Sequence, residues 1–397
     1  MKLTSLAIKN IRGNGFRSVV IFLAVMGVSG FLLSTSLIIK GEQYSLDSGI
    51  KRLGADILVV PAGAETKVES ALLMSKPTDV WMPTNNLQAV AAIPGVAAVS
   101  PQRYLASLYG APCCSVSEMF IVMFDPATDF SINPWLTQNL GRELKKGEVI
   151  GGSYISVVPG EQYIKLYGYD LTLKGNLAPT GIGIDQTMFM TLETAEDMAR
   201  SSLSTAVAPL VIPNNEISSI LVKVAPGVDV HAIALEILRN TIGMVPVESP
   251  NLFGTFRNQM NGLLWGFLVI TVVIWALSMF LIGLVFSMAA NERRREMSVL
   301  RAIGASRSFV FQSLLAEAAL VALSGAVVGI AFAATSIYMF RNMIATSLKM
   351  PFLFPSVPTF FTMFGAGVGL AILTVTLAAL IPAVRISRQE LAIAMRE

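Results

Sequence analysis

Charge is scarce in this chain. Only 14% of its 397 residues are Asp, Glu, Lys or Arg, where an ordinary soluble domain carries roughly 25%. Histidine occurs once and cysteine twice. There is no Ser/His/Asp set and no paired-carboxylate motif, which argues against catalysis by this chain. No GxxxxGK[ST] loop is present to cradle a nucleotide. The only resemblance to a nucleotide signature, Leu323–Gly329 (LSGAVVG), lies inside an apolar run that nucleotide does not reach. What the chain has in abundance is apolar surface, at 53% hydrophobic residues and a mean hydropathy of +0.63. That composition belongs to a membrane protein.

The apolar residues are concentrated in runs of the roughly 20 residues needed to cross a bilayer. The chain parses into a basic amphipathic stretch 1–17, a first span 18–39, an α+β domain 40–261 and a second span 262–290. A charged segment 291–308, a third span 309–340, a short loop 341–359, a fourth span 360–383 and a tail 384–397 follow. The expected fold class is thus an α-helical membrane protein with four transmembrane helices and a large α+β extracytoplasmic domain between helices one and two. The first run is too long for the h-region of a cleaved signal and lacks a small-x-small cleavage site after it, so it reads as a retained anchor.

Orientation follows from the short segments. Lys2, Lys9, Arg12 and Arg17 precede the first span without an acid, and five Arg against two Glu fill 291–308. Arg385, Arg388 and Arg396 lie in or near the tail, whereas 341–359 holds only Arg341 and Lys349. Short basic segments stay cytoplasmic, which puts both termini inside and residues 40–261 outside. That long segment holds 15 basic and 21 acidic residues. Within it, ADILVVP, EMFIVMF, YDLTLKGNL and SSILVKV read as strands; LQAVAAIP and VDVHAIALEILRNTI read as helices. The alternation predicts a sheet with helices on one face.

The stretch NERRREMSVLRAIGAS, Asn291–Ser306, sets seven charges with Arg307 between charge-free apolar runs. Asn291 suits an N-cap, Met297, Leu300 and Ile303 form an apolar ridge, and Gly304 suits a C′ position. A topology anchor needs only Lys and Arg; the interleaved Glu and the ridge point to a docking helix. At the N-terminus, Leu3, Leu6, Ala7 and Ile11 share one helical face and Lys2, Lys9 and Arg12 the other, as in a helix lying along a lipid surface. Gly325/Gly329 and Gly365/Gly369 have the small-xxx-small spacing of closely packed membrane helices.

Two further features stand apart. Cys113 and Cys114 are adjacent, so within one chain they can form only a strained vicinal bridge. A redox switch, a bridge to another chain or a soft metal ion are the other readings. Glu317 is an isolated acid near the start of the third span, close enough to Arg307 to lie near the membrane surface. His231 reads as structural.

ERRREMSVLRAIGAS resembles the cytoplasmic signature between the second and third spans of FtsX-like permeases, the family that includes MacB-type ABC transporters. LAIKNIRGNGFRSVV is similar to that family's entry helix, and IPAVRISRQELAIAMR to its C-terminal pattern, with Glu390-Leu391 where Asp-Pro is frequent. IPGVAAVSP, GEVIGGS and LVKVAPGVDV are similar to its outer domain, the MacB-like periplasmic core. The resemblance implies a permease subunit in a bacterial cytoplasmic membrane, working as a dimer with a second copy or a paralogue. It implies no cofactor in this chain, with ATP and Mg on a separate ABC ATP-binding subunit. Glu292, Arg293, Arg294, Arg295, Glu296 and Arg301 would form the coupling surface for that subunit, and nucleic acid has no part. Export or extraction of a substrate from the outer side is the implied role. Transmission of ATPase motion to an extracytoplasmic enzyme, and metal or haem export hinted at by Cys113-Cys114, are the alternatives.

Overall fold

The computed structural model describes residues 11, 15–106, 119–157, 159–292, 306–347 and 350–387. Cys113, Cys114 and most of the charged segment after Glu292 lie outside the described residues, as do most of stretch 1–17 and the end of the tail. The chain divides into two compact units. One comprises Met1–Lys40, Met260–Arg341 and Phe354–Glu397; the other comprises Gly41–Gln259 and Asn342–Leu353.

The first unit is built on helices α1 (Gly15–Leu53), α7 (Gly254–Glu292), α8 (Arg307–Thr346) and α9 (Val357–Ser387). Each contains a run long and apolar enough to cross a membrane. The helices outrun the expected spans. α1 continues to Leu53 because Gly41, Ser45, Gly49 and Leu53 recur every four residues and are all buried, an apolar-and-small stripe that lets a polar stretch stay helical. α7 starts at Gly254, ahead of the apolar run. The shared core of this unit includes Val25, Ile282, Ala318, Ala322 and Ala379.

In the second unit the strands are β1 (Ile57–Pro61), β2 (Met82–Pro83), β3 (Val96–Ala106), β4 (Phe120–Phe124), β5 (Glu148–Gly151) and β6 (Ile164–Leu166). They are followed by β7 (Tyr169–Asn176), β8 (Thr187–Thr191), β9 (Glu216–Ile217), β10 (Ser219–Val224) and β11 (Met244–Glu248). Its helices are α2 (Glu65–Met74), α3 (Asn85–Ala91), α4 (Asn133–Asn139), α5 (Leu192–Thr205) and α6 (Val230–Asn240). Nine strands form one mixed sheet in the order β11-β1-β10-β3-β4-β8-β5-β7-β6. β4 and β8 pair in parallel, as do β5 and β7, while β1 pairs antiparallel with both neighbours. Residues 342–353, expected as a separate short loop, belong to this unit.

The strands read from the sequence appear as β1, β4, β7 and β10, and the two helices as α3 and α6. The expectation of helices on one face needs correction. Every residue of β4, β5 and β8 is buried, so the central strands are covered on both sides. Ile121 and Met123 face a core with Met190 and Met198 of α5, while Val122 faces Leu72 of α2 and Ile132. The continuous apolar run FIVMF is the mark of a strand buried on both faces.

Candidate functional site

The loop between β7 and β8 is held from several sides. Asp185 sits in a 3-10 turn, Gly183–Gln186, and is 1% exposed. Its carboxylate accepts hydrogen bonds from Thr180 N (2.8 Å), Gly181 N (2.7 Å) and Thr180 Oγ1 (2.9 Å). Burial pushes the Asp185 carboxyl above its usual range, against the pull of these donors. The loop is thereby folded back on its own acid.

Three other parts of the chain fasten to it. Ser45 Oγ of α1 donates to Thr180 O (2.9 Å), and Arg52 Nη2 to Ala178 O (3.0 Å). Ser75 Oγ, which follows α2, donates to Gln186 O (3.1 Å). Phe352 N donates to Gly181 O (3.0 Å), and Leu353 N to Gly41 O (3.2 Å). Glycine makes these approaches feasible. A Cβ on Gly41 would lie 2.5 Å from the Phe352 ring, and one on Gly49 would collide with Ile182. Gly181 has φ +77° and a Cβ there would lie 2.5 Å from Phe352 O, so both conformation and space demand glycine. The result is a joint that ties α1, the residue after α2, the β7–β8 loop and the segment before α9 through side-chain and backbone donors to backbone carbonyls.

Farther along the sheet, Glu148 accepts both Arg142 Nη1 (2.7 Å) and Nη2 (2.9 Å), as well as Lys145 N (2.9 Å). The Arg142 pair holds its carboxyl down at about 2. Asp197 is held to about 2 by Lys146, Tyr169 and Arg200. Among the described residues no group of three or more His, Cys, Asp or Glu is placed to hold a metal ion. His231 Nδ1 meets Glu248 Oε1 at 2.7 Å on the exterior, and the carboxylate raises the imidazole pKa. These are ion pairs that pin α5, α6 and the strands.

In the helical unit the glycines take two different positions. A Cβ on Gly325 would lie 2.9 Å from Phe22 O of α1, and one on Gly329 would collide with Met26 O. A Cβ on Gly30 of α1 would lie 3.0 Å from Gly329 O. α1 and α8 therefore touch backbone to backbone within one chain. A Cβ on Gly365 or Gly369 of α9 would meet nothing within 4 Å beyond its own helix. Polar links cross between helices, among them Thr35 and Thr271 hydroxyls at 3.3 Å and Trp275 Nε1 donating to Thr374 Oγ1 at 2.9 Å. Glu292 is the last residue of α7; Arg293, Arg294, Arg295, Glu296 and Arg301 lie outside the described residues. The joint at Asp185 carried no motif of its own. The four-residue recurrence of Gly41, Ser45 and Gly49 was its only advance signal.

The family described as FtsX-like permease C-terminal matches residues 268–391, a range running from within α7 to beyond α9. Among solved structures, the chain is similar to the periplasmic region of MacB from Actinobacillus actinomycetemcomitans. That alignment has 10% identity and a TM-score of 0.33, covering 53% of this chain and 96% of the other. It is also similar to the extracellular domain of the noncanonic ABC-type transporter YknZ from Gram-positive bacteria, at 11% identity and a TM-score of 0.29, covering 49% and 99%. No curated protein matches.

Proposed function

From the premise that residues 268–391 are an FtsX-like permease C-terminal domain, we propose that this chain is the membrane-embedded subunit of an ABC-type transporter. ATP and Mg are handled by a separate ATP-binding subunit, and this chain has no catalytic role of its own. The matched range holds the charged segment between α7 and α8, which is where the ATP-binding subunit docks. Glu292, Arg293, Arg294, Arg295, Glu296 and Arg301 form that surface, their mixed signs fixing register more than affinity. The protein resides in a bacterial cytoplasmic membrane with both termini inside. It works beside a second copy or a paralogue, and Gly365 and Gly369, which have open space before them, are available for that contact.

Nucleotide-driven motion reaches the α+β unit along α1 and α7, each an unbroken helix with residues in both units. The joint around Asp185 then makes α1, the β7–β8 loop and the segment before α9 move together. A two-state element biased by nucleotide is the physical requirement, and a joint closed by several hydrogen bonds supplies the stiffness to pass that bias on. Extrusion of a substrate from the outer side is the outcome. The observation that carries this reading is the family match over residues 268–391.

The test is co-expression with the ATP-binding protein encoded beside this chain, purification through a tag on this chain, and ATPase measurement in lipid. An Arg294→Glu/Glu296→Arg variant is expected to lose both the co-purifying ATPase and the stimulated hydrolysis. An ATPase that neither binds nor responds to the wild-type chain overturns the proposal.

A further inference from the structure

The last turns of α8 carry a cation that the proposed function does not use. Residues 318–340 are free of charge. At 1.5 Å per residue that run is about 34 Å long, slightly more than the roughly 30 Å hydrocarbon core of a bilayer. Arg341 is the first charged residue after it, so its guanidinium emerges at the layer of lipid headgroups whichever way the helix points. No Asp or Glu occurs anywhere in residues 318–389, so the sequence around Arg341 offers it no acid.

Aromatic rings hold this cation in place. The guanidinium carbon of Arg341 lies 3.9 Å from the centroid of the Tyr338 ring, and Nη1 donates to Tyr338 O (3.0 Å). Tyr338 meets Phe354 edge-on at 5.8 Å between centroids, Phe354 meets Phe360 at 5.7 Å, and Phe360 meets Phe361 at 6.0 Å. The four rings link the last turns of α8 to the start of α9 within the helical unit. Tyr338 is 53% exposed and Phe361 64%, so apolar surface lies open beside the cation. Among the described residues Arg341 makes no ion pair, and its hydrogen bond goes to its own helix. A guanidinium has five N–H groups in a planar fork. Stacking on a ring occupies its face and leaves its edge for a planar or phosphate anion. At the headgroup layer the anion at hand is the phosphate of a phospholipid, and exposed aromatic rings suit the boundary between headgroup and acyl chain. With no acid to offset the arginine, a lipid of net negative charge fits better than a zwitterionic one.

We propose that Arg341 and the ring platform of Tyr338, Phe354, Phe360 and Phe361 form a binding site for an anionic phospholipid, its phosphate on the guanidinium and its acyl chains along the exposed rings. The site depends neither on an ATP-binding subunit nor on the orientation of the chain. With residues 341–359 outside, the lipid belongs to the outer leaflet.

The delipidated full-length chain in detergent is titrated separately with phosphatidylglycerol and with phosphatidylcholine of matched acyl chains, and bound lipids are counted by native mass spectrometry. Other basic segments of the chain also attract phosphatidylglycerol, so the reading is the difference between wild type and Arg341→Gln. The variant is expected to bind about one phosphatidylglycerol fewer, its affinity at that site falling about fivefold, with phosphatidylcholine unchanged. Lys349→Gln removes the same charge from the same short segment and is expected to match wild type. Tyr338→Leu keeps the charge, removes the ring beneath it and is expected to lose the same lipid. No difference between wild type and Arg341→Gln overturns the proposal. Equal losses in Arg341→Gln and Lys349→Gln overturn it in favour of diffuse surface charge. An equal loss of both lipids in Arg341→Gln overturns the choice of an anionic headgroup, and wild-type binding by Tyr338→Leu overturns the ring platform. Should Arg341→Gln fail to fold, Arg341→Lys carries the test: it keeps the charge without the planar fork. An intermediate loss is expected there, and binding equal to wild type overturns the site. No ATPase takes part, so loss of ATPase coupling in Arg294→Glu/Glu296→Arg with this lipid still bound separates the two readings.

Discussion

The two units solve the problem of cohesion with different materials. In the α+β unit the strands β4, β5 and β8 are wholly buried, and polar side chains are taken inside with them. Tyr104 is 0% exposed, its hydroxyl shares a hydrogen bond with Ser219 Oγ at 2.7 Å, and its ring meets Phe120 edge-on at 5.1 Å between centroids. Burial lifts the Tyr104 phenol to about 12. In the helical unit only 11–44% of each apolar window is buried within the protein. Cohesion there comes from a small shared apolar core, from Gly325 and Gly329 against α1 and from hydroxyl-mediated links. Water drives the first kind of core and is absent from the second. Removing bulk should therefore hurt the α+β unit most, and adding bulk the helical unit.

The sharpest way to break this contrast is Phe120→Ala, expected to cost about 3–5 kcal/mol and read as a fall in the thermal midpoint of the detergent-solubilised chain. Gly329→Leu forces α1 from α8 and is expected to cost about 1–3 kcal/mol. Its signature is a fall in the thermal midpoint of the detergent-solubilised chain. Tyr104→Phe keeps the ring and strands the Ser219 hydroxyl, for about 1–2 kcal/mol.

A smaller effect depends on acid. The folded-state pKa of Glu148 is depressed from 4.5 to about 2. Its contribution is therefore fully present above 4.5 and is lost as pH falls towards 2. Glu148→Gln should lower the thermal midpoint at neutral pH and converge with wild type as the medium becomes strongly acidic. Smallest of all, Gly365→Ala and Gly369→Ala in the isolated chain are expected to change stability by less than about 0.5 kcal/mol, since open space lies before them. A larger loss only in a dimer would assign these glycines to the contact between copies.

Local signals made much of the fold legible. ADILVVP and FIVMF are β1 and β4, and the apolar spacing of Val230–Asn240 is α6. Pairing was not legible. The parallel contacts β4–β8 and β5–β7 join residues far apart in sequence, and no local propensity encodes them. The spacing of Gly325 and Gly329 announced a close helix contact but not its partner, because small-xxx-small spacing describes one surface only. The extension of α1 to Leu53 was hidden by polar residues, although its buried positions recur with helical period. The joint at Asp185 was least visible. Its side chains, Ser45, Arg52, Ser75 and Asp185, meet backbone carbonyls and amides, which every residue carries, and the glycines at 41, 49 and 181 mark where backbones meet.

That joint also has a consequence in time. Its parts come from residues 41–52, 75, 178–186 and 352–353. Synthesis runs from one end of the chain to the other, so Gly41 and Gly181 wait for Phe352 through the making of α7 and α8. The α+β unit, most of which is encoded before the second apolar run, gains its last fastening only when three of the four long apolar helices already exist. The two units are thus finished in an interleaved order, each holding a step that the other must complete.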